Sequence, residues 1–164
     1  MKKFLKIFSL LLILASFSSC NKSQVYKEFK TLPNMTWERI EEGKTITFND
    51  INIENEEEVY DISLHFRHTP YITEDEIKFK ITIISPSKIT RESVHTVKLK
   101  DKEGKEWLGE ALGDIIDLEV PIKTFFSFVE RGNYTIEIVN MCNKYQLQGI
   151  MELGLEVNKS DLDR

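Results

Sequence analysis

Cysteine is almost missing from this chain: Cys20 and Cys142 are the only two in 164 residues. That excludes a framework of several disulfides of the kind that staples small exported domains. No apolar run approaches the roughly 20 residues that a membrane-spanning helix needs. The stretch from Ile7 to Phe17 is 11 residues long and is interrupted by Ser9 and Ser16. Histidine is confined to His65, His68 and His95, which leaves little for a zinc site that demands three or four converging ligands. On a strand, the odd separation of His65 and His68 sends their rings to opposite faces. Basic charge is also short, 22 Lys and Arg against 27 Asp and Glu, so no nucleic-acid partner is expected. G-x-S-x-G, H-E-x-x-H and phosphate-loop patterns are absent, and with them common sequence signals of hydrolases and nucleotide enzymes. After residue 33 no segment carries the apolar spacing of an amphipathic helix.

What is present begins with Lys2, Lys3 and Lys6, then the apolar stretch from Ile7 to Phe17, then the small residues Ser18 and Ser19. A basic start, a short apolar core and small residues at the cut describe a secretory leader, residues 1–19. Phe17-Ser18-Ser19-Cys20 resembles the bacterial lipobox, in which the cysteine carries diacylglycerol through a thioether and becomes the new N-terminus. Each buried acyl CH₂ contributes about 0.8 kcal/mol and stable anchoring takes more than one chain, which a lipoprotein cysteine supplies. Acylation of Cys20 leaves Cys142 without a disulfide partner, and Cys142 is expected to be a small, half-buried strand residue. Residues 20–36 read as a lipid-anchored tether. Val25, Phe29 and Leu32 permit one short amphipathic turn, stopped by Pro33.

Cleavage before Cys20 leaves 145 residues, of which 19 are basic and 27 acidic, a net charge of −8. One domain of this size buries a self-sufficient core. The negative charge argues against adsorption of the polypeptide on anionic headgroups, so the lipid is expected to supply the membrane attachment.

Residues 37–164 read as that domain. In "VYDISLHFRH" Tyr60, Ile62, Leu64, Phe66 and His68 alternate with Asp61, Ser63, His65 and Arg67. "KTITF", "EIKFKITII", "SVHTVKLK", "PIKTFFSFV", "NYTIEIVNM" and "ELGLEVN" continue the period of two. Short alternating strands with turns such as "SPSK" and "DKEGK" between them indicate a single antiparallel β-sandwich, Ig-like or jelly-roll-like. Phe128, Gly132 and Tyr134 form F-x-x-x-G-x-Y, which resembles the tyrosine corner of such sandwiches. The acidic run "ENEEE" at 54–58 lacks the spacing and glycine of a calcium loop and reads as solvated.

One stretch has no clean period: "KEWLGEALGDIIDLEVP", 105–121, with Trp107, Gly109, Gly113 and Asp114. Its glycines permit positive φ or close backbone approach. Its tryptophan either plugs one end of the sandwich or presents a binding surface.

In order along the chain, "VYKEFKTLPNMTW", "FRHTPY", "WLGEALGDI", "RGNYTIEI" and "LQGIMELGLEV" behind a lipobox cysteine resemble the gliding-motility lipoprotein H (GldH) family of the Bacteroidetes. The resemblance implies a non-catalytic, lipid-anchored envelope protein without cofactor. It implies partners among the envelope proteins of the motility or type IX secretion apparatus. Cys20 matches the acylated position, and Trp107, Gly109, Gly113, Asp114 and Ile115 match the family's W-x-G…G-D-I core, a partner-binding or structural loop. Residues 21–24 lack the acidic cluster that resembles a surface-export signal in that phylum, which implies a periplasm-facing position. The alternative is a carbohydrate-binding lipoprotein, which predicts exposed, coplanar aromatics such as Trp37, Tyr71 and Trp107.

Overall fold

The computed structural model describes residues 23–40 and 44–161. The expected signal peptide and Cys20 lie outside the described residues. Period-two patterning makes each segment two-faced, one side apolar and one polar. The segments form strands β1 (Gln24–Thr31), β2 (Thr36–Glu38), β3 (Thr45–Ile53), β4 (Tyr60–His68), β5 (Glu76–Ile84), β6 (Thr90–Lys98), β7 (Glu110–Leu112), β8 (Ile115–Phe126), β9 (Gly132–Asn140), β10 (Gln146–Gln148) and β11 (Ile150–Lys159).

Every pairing is antiparallel. One sheet has the order β1-β11-β4-β8-β7, a second the order β3-β9-β5-β6, and β2 and β10 form a separate ribbon. The two larger sheets face each other as a sandwich. Phe66 of β4 meets Phe79 of β5 across the gap with ring centroids 5.7 Å apart. The inward set predicted for β4 is the set buried, Tyr60, Ile62, Leu64, Phe66 and His68. The tyrosine corner is also present. The Tyr134 hydroxyl donates to the Glu130 carbonyl at 2.8 Å and accepts from the Glu130 N–H at 3.1 Å.

Three expectations need correction. Residues 24–31 are not a loosely docked amphipathic turn: they form β1, paired with β11 along its length. Val25, Phe29 and Leu32 follow a helical spacing only by coincidence, because the backbone groups of β11 offer a ladder that an isolated turn does not. The segment 105–121 is mostly ordered strand: β7 and β8 make a hairpin with Leu112 opposite Ile115. Gly113 at φ +61 is the first residue of a two-residue turn, the position where type II′ turns take glycine. Cys142 lies just past the end of β9 rather than within a strand, and it is buried.

Candidate functional site

The polar face of the five-stranded sheet carries the site. Cross-strand register sets the side chains of β1, β11, β4 and β8 side by side on it. Arg67 of β4 lies opposite Glu152 on one side and Asp117 on the other. It donates two parallel bonds to Asp117, Nε to Oδ1 at 2.7 Å and a terminal nitrogen to Oδ2 at 3.0 Å, and a third to Glu152 at 2.8 Å. A forked guanidinium fits carboxylates in this way. The bond from Arg67 holds the Asp117 carboxyl below its ordinary range, against the opposing effect of burial.

One step along the strands, His65 Nε2 lies 3.0 Å from Glu156 Oε2, and Lys27 of β1 reaches the same oxygen at 2.6 Å. Burial pushes the Glu156 carboxyl up, but bonds from Lys27 and Asn158 and the charges of Lys27 and His65 outweigh it and the net shift is downward. His65, on the face opposite His68, is half-buried and tilted against the Phe29 ring at 5.4 Å. Gly154 makes room for that ring. A Cβ there would lie 2.5 Å from it, so the aromatic of the edge strand covers the glycine of its neighbour.

These residues floor a cleft of about 460 Å³, lined among others by Phe29, His65, Arg67, Gly109, Glu110 and Glu119. Its wall comes from the unpatterned stretch. Leu108 N–H bonds to Leu99 O at 2.8 Å, and the chain then crosses over β8 at Gly109. There φ is +104 and a Cβ would sit 2.4 Å from the Asp117 carbonyl oxygen. Only glycine combines that backbone angle with that approach. Gly113 and Asp114 form the exposed hairpin tip and Ile115 starts β8.

Trp107 is half-buried behind the wall. It packs edge-on against His68 at 5.1 Å and lies under the Lys100 ammonium at 4.7 Å. His68 is fully buried, its Nδ1 3.0 Å from the Thr69 carbonyl. Burial pulls its pKa down, so the ring is the neutral tautomer that donates from Nδ1. Trp37, not Trp107, closes that end of the sandwich: it is 0% exposed, with Nε1 bonded to Lys44 O at 3.3 Å. The three-aromatic platform therefore does not form. Tyr71 stays exposed while Trp37 is inside and Trp107 is covered.

Cys142 Sγ accepts from the Lys78 N–H at 3.3 Å. Burial raises its pKa, the condition of a structural thiol rather than a nucleophile. Among the described residues no group of three or more His, Cys, Asp or Glu is placed to hold a metal.

Of the motif residues, Gly109 lines the cleft, with Glu110 beside it and Phe29, His65, Arg67, Asp117 and Glu119 completing it, while Trp107, Gly113, Asp114 and Ile115 lie outside the lining. The sequence profile described as GldH lipoprotein matches residues 24–157. The chain belongs to the GldH lipoprotein family. A relative named "Gliding motility lipoprotein GldH homolog" from Christiangramia forsetii (strain DSM 17595 / CGMCC 1.15422 / KT0803) is 26% identical over 171 residues, covering 98% of this chain and 99% of that protein. Solved structures are far more distant. A family GH115 4-O-methyl-α-glucuronidase aligns at TM-score 0.49 and 11% identity over 87% of this chain and 18% of its own. A carbohydrate-binding module specific for non-crystalline cellulose, CBM28, aligns at TM-score 0.40 and 10% identity over 87% of this chain and 75% of its own. Likenesses this distant carry nothing about function.

Proposed function

We propose that this GldH-family protein is a non-catalytic subunit of the bacterial envelope, anchored by lipid on Cys20 on the periplasmic side, that holds another envelope protein in the cleft of its five-stranded sheet. The observation that carries the reading is that Gly109 of the family's W-x-G…G-D-I residues lines that cleft, pressed on Asp117.

Asp117 in the lining is held by Arg67. Glu110 and Glu119 are exposed beside Phe29 at 39%, so the rim is acidic with one apolar anchor. A partner segment with a basic side chain next to an apolar one fits that pattern.

A photo-crosslinking amino acid placed at Glu110 in cells tests this. One discrete envelope protein should be captured from that position, and capture should drop at least about tenfold when Glu119→Lys reverses the rim charge. The same probe at Glu92, on the other sheet, should not capture that protein. Equal capture from both positions, or none from Glu110, would remove the cleft from the account.

A further inference from the structure

β1 begins at one end of the sandwich. Register sets Gln24 opposite Asn158, Lys159 opposite Tyr60 and Tyr60 opposite Phe126. The start of β1 and the end of β8 therefore share that end, three strand spacings or about 14 Å apart. Ile53 pairs with Gly132 and Ile84 with Thr135, which brings loops 85–89 and 127–131 to the same end. These loops touch: Glu130 Oε1 accepts from the Ser87 N–H at 3.0 Å and from its hydroxyl at 2.5 Å.

Both ends expose apolar side chains, Met35, Tyr71 and Tyr145 at the far one, so chain length rather than exposure has to choose between them. At the end where β1 begins, Ile89 is 56%, Phe125 54% and Val129 46% exposed, with Lys88 and Arg131 exposed beside them. Phe125 sits at φ +51, a region that bulky residues avoid. Its N–H donates to Asp61 Oδ1 at 3.0 Å, which fixes the backbone twist.

Chain length decides what meets that ring. Three residues separate Cys20 from Gln24, and an extended chain gains at most about 3.3–3.6 Å per residue. Lipid on Cys20 would keep the start of β1 within about 15 Å of the bilayer surface. We propose that the end carrying Ile89, Phe125 and Val129 docks on that bilayer, its apolar side chains entering the headgroup layer. The inference rests on the acylation of Cys20 proposed above. An apolar patch flanked by basic residues is the usual composition of an interfacial contact. Acidic residues 54–58 occupy the β3–β4 loop at the same end, so a zwitterionic surface suits it better than an anionic one. Arg67 lies seven residues along β4 from Tyr60, about 23 Å further out, which leaves the cleft clear of the membrane.

The test is hydrogen–deuterium exchange on full-length protein extracted from cell membranes. It is measured in phosphatidylcholine–phosphatidylethanolamine vesicles and in detergent, with mass spectrometry of Cys20 in the same preparation. Exchange over 85–91 and 124–131 should slow several-fold in vesicles, while 69–75 and 142–148 at the opposite end stay unchanged. The pair Phe125→Asp and Val129→Asp should abolish the slowing without lowering the melting temperature, since both side chains are exposed. Slowing at neither end, at the opposite end, or equally in the double variant would overturn the proposal. So would protection of the same loops in detergent at high protein concentration, which would place a second copy there. A sulfur found free of lipid would defeat the anchor reading alone, and exchange on vesicles would still decide docking.

Discussion

At the scale of the residue, two glycines of one motif have different jobs, and substitution separates them. Gly109→Ala must overcome both φ +104 and a carbonyl 2.4 Å from the new carbon, so a loss of about 2–4 kcal/mol is expected in denaturant unfolding. Gly113→Ala meets open space and only the backbone angle, and should cost about 1 kcal/mol. If the two losses were equal, close approach would not be the reason for Gly109. Tyr134→Phe removes a hydroxyl that serves both polar groups of Glu130, and a loss of about 1–3 kcal/mol is expected by the same measurement.

Residue chemistry also sets the pH dependence. Burial depresses the pKa of His68 from 6.5, and burial with the charge of Lys123 depresses that of His95. Both therefore support the fold fully above pH 6.5, and that support declines as the unfolded chain takes up protons first. Asp117 and Glu156 are depressed as well. Their support is present above the ordinary carboxylate range and is lost as pH falls through it toward their folded values. The melting temperature should fall in two stages on acidification. His68→Gln, which cannot take up the proton, should shrink the first stage and leave the second. A first stage of unchanged size would contradict the buried, neutral assignment of His68.

At the scale of the element, alternation alone located most of the sandwich, because a strand buried on one face writes its burial into every second residue. β4 and β5 are plain examples. Segments that break the period were harder to read. In β3 the register shifts between Phe48 and Ile51 around Asp50 at φ +58, and a bulge of this kind resets the inward set. The β7–β8 hairpin hid for a different reason: β7 is three exposed residues at an edge, so it carries no apolar alternation, and Gly113-Asp114 was the only sign of its turn. β1 was read as a turn because its partner β11 is remote in sequence. The cleft was half legible. Gly109 of its lining stood out in the motif, but the floor of Phe29, His65, Arg67 and Asp117 exists only through cross-strand register. Phe29 lying over Gly154 predicts that Gly154→Ala displaces the ring. It should expose the amides of β1 to exchange while those of β9 stay protected.

At the scale of the whole molecule, the β-sandwich begins at Gln24, four residues after Cys20 in sequence and at the end that carries Phe125 in space. The cleft lies on the outer face of the five-stranded sheet, and His68 and Trp107 pack together at the far end of β4. The proposed tether, membrane contact and partner site would then lie along one axis, on a chain whose net negative charge disfavours adhesion to anionic lipid. That arrangement depends on lipid at a single sulfur. Cells fed radioactive palmitate should yield a labelled band for the wild-type chain in the membrane fraction, and Cys20→Ala should lose the label and leave that fraction. Label retained by the alanine variant, or an unlabelled wild type, would contradict the account.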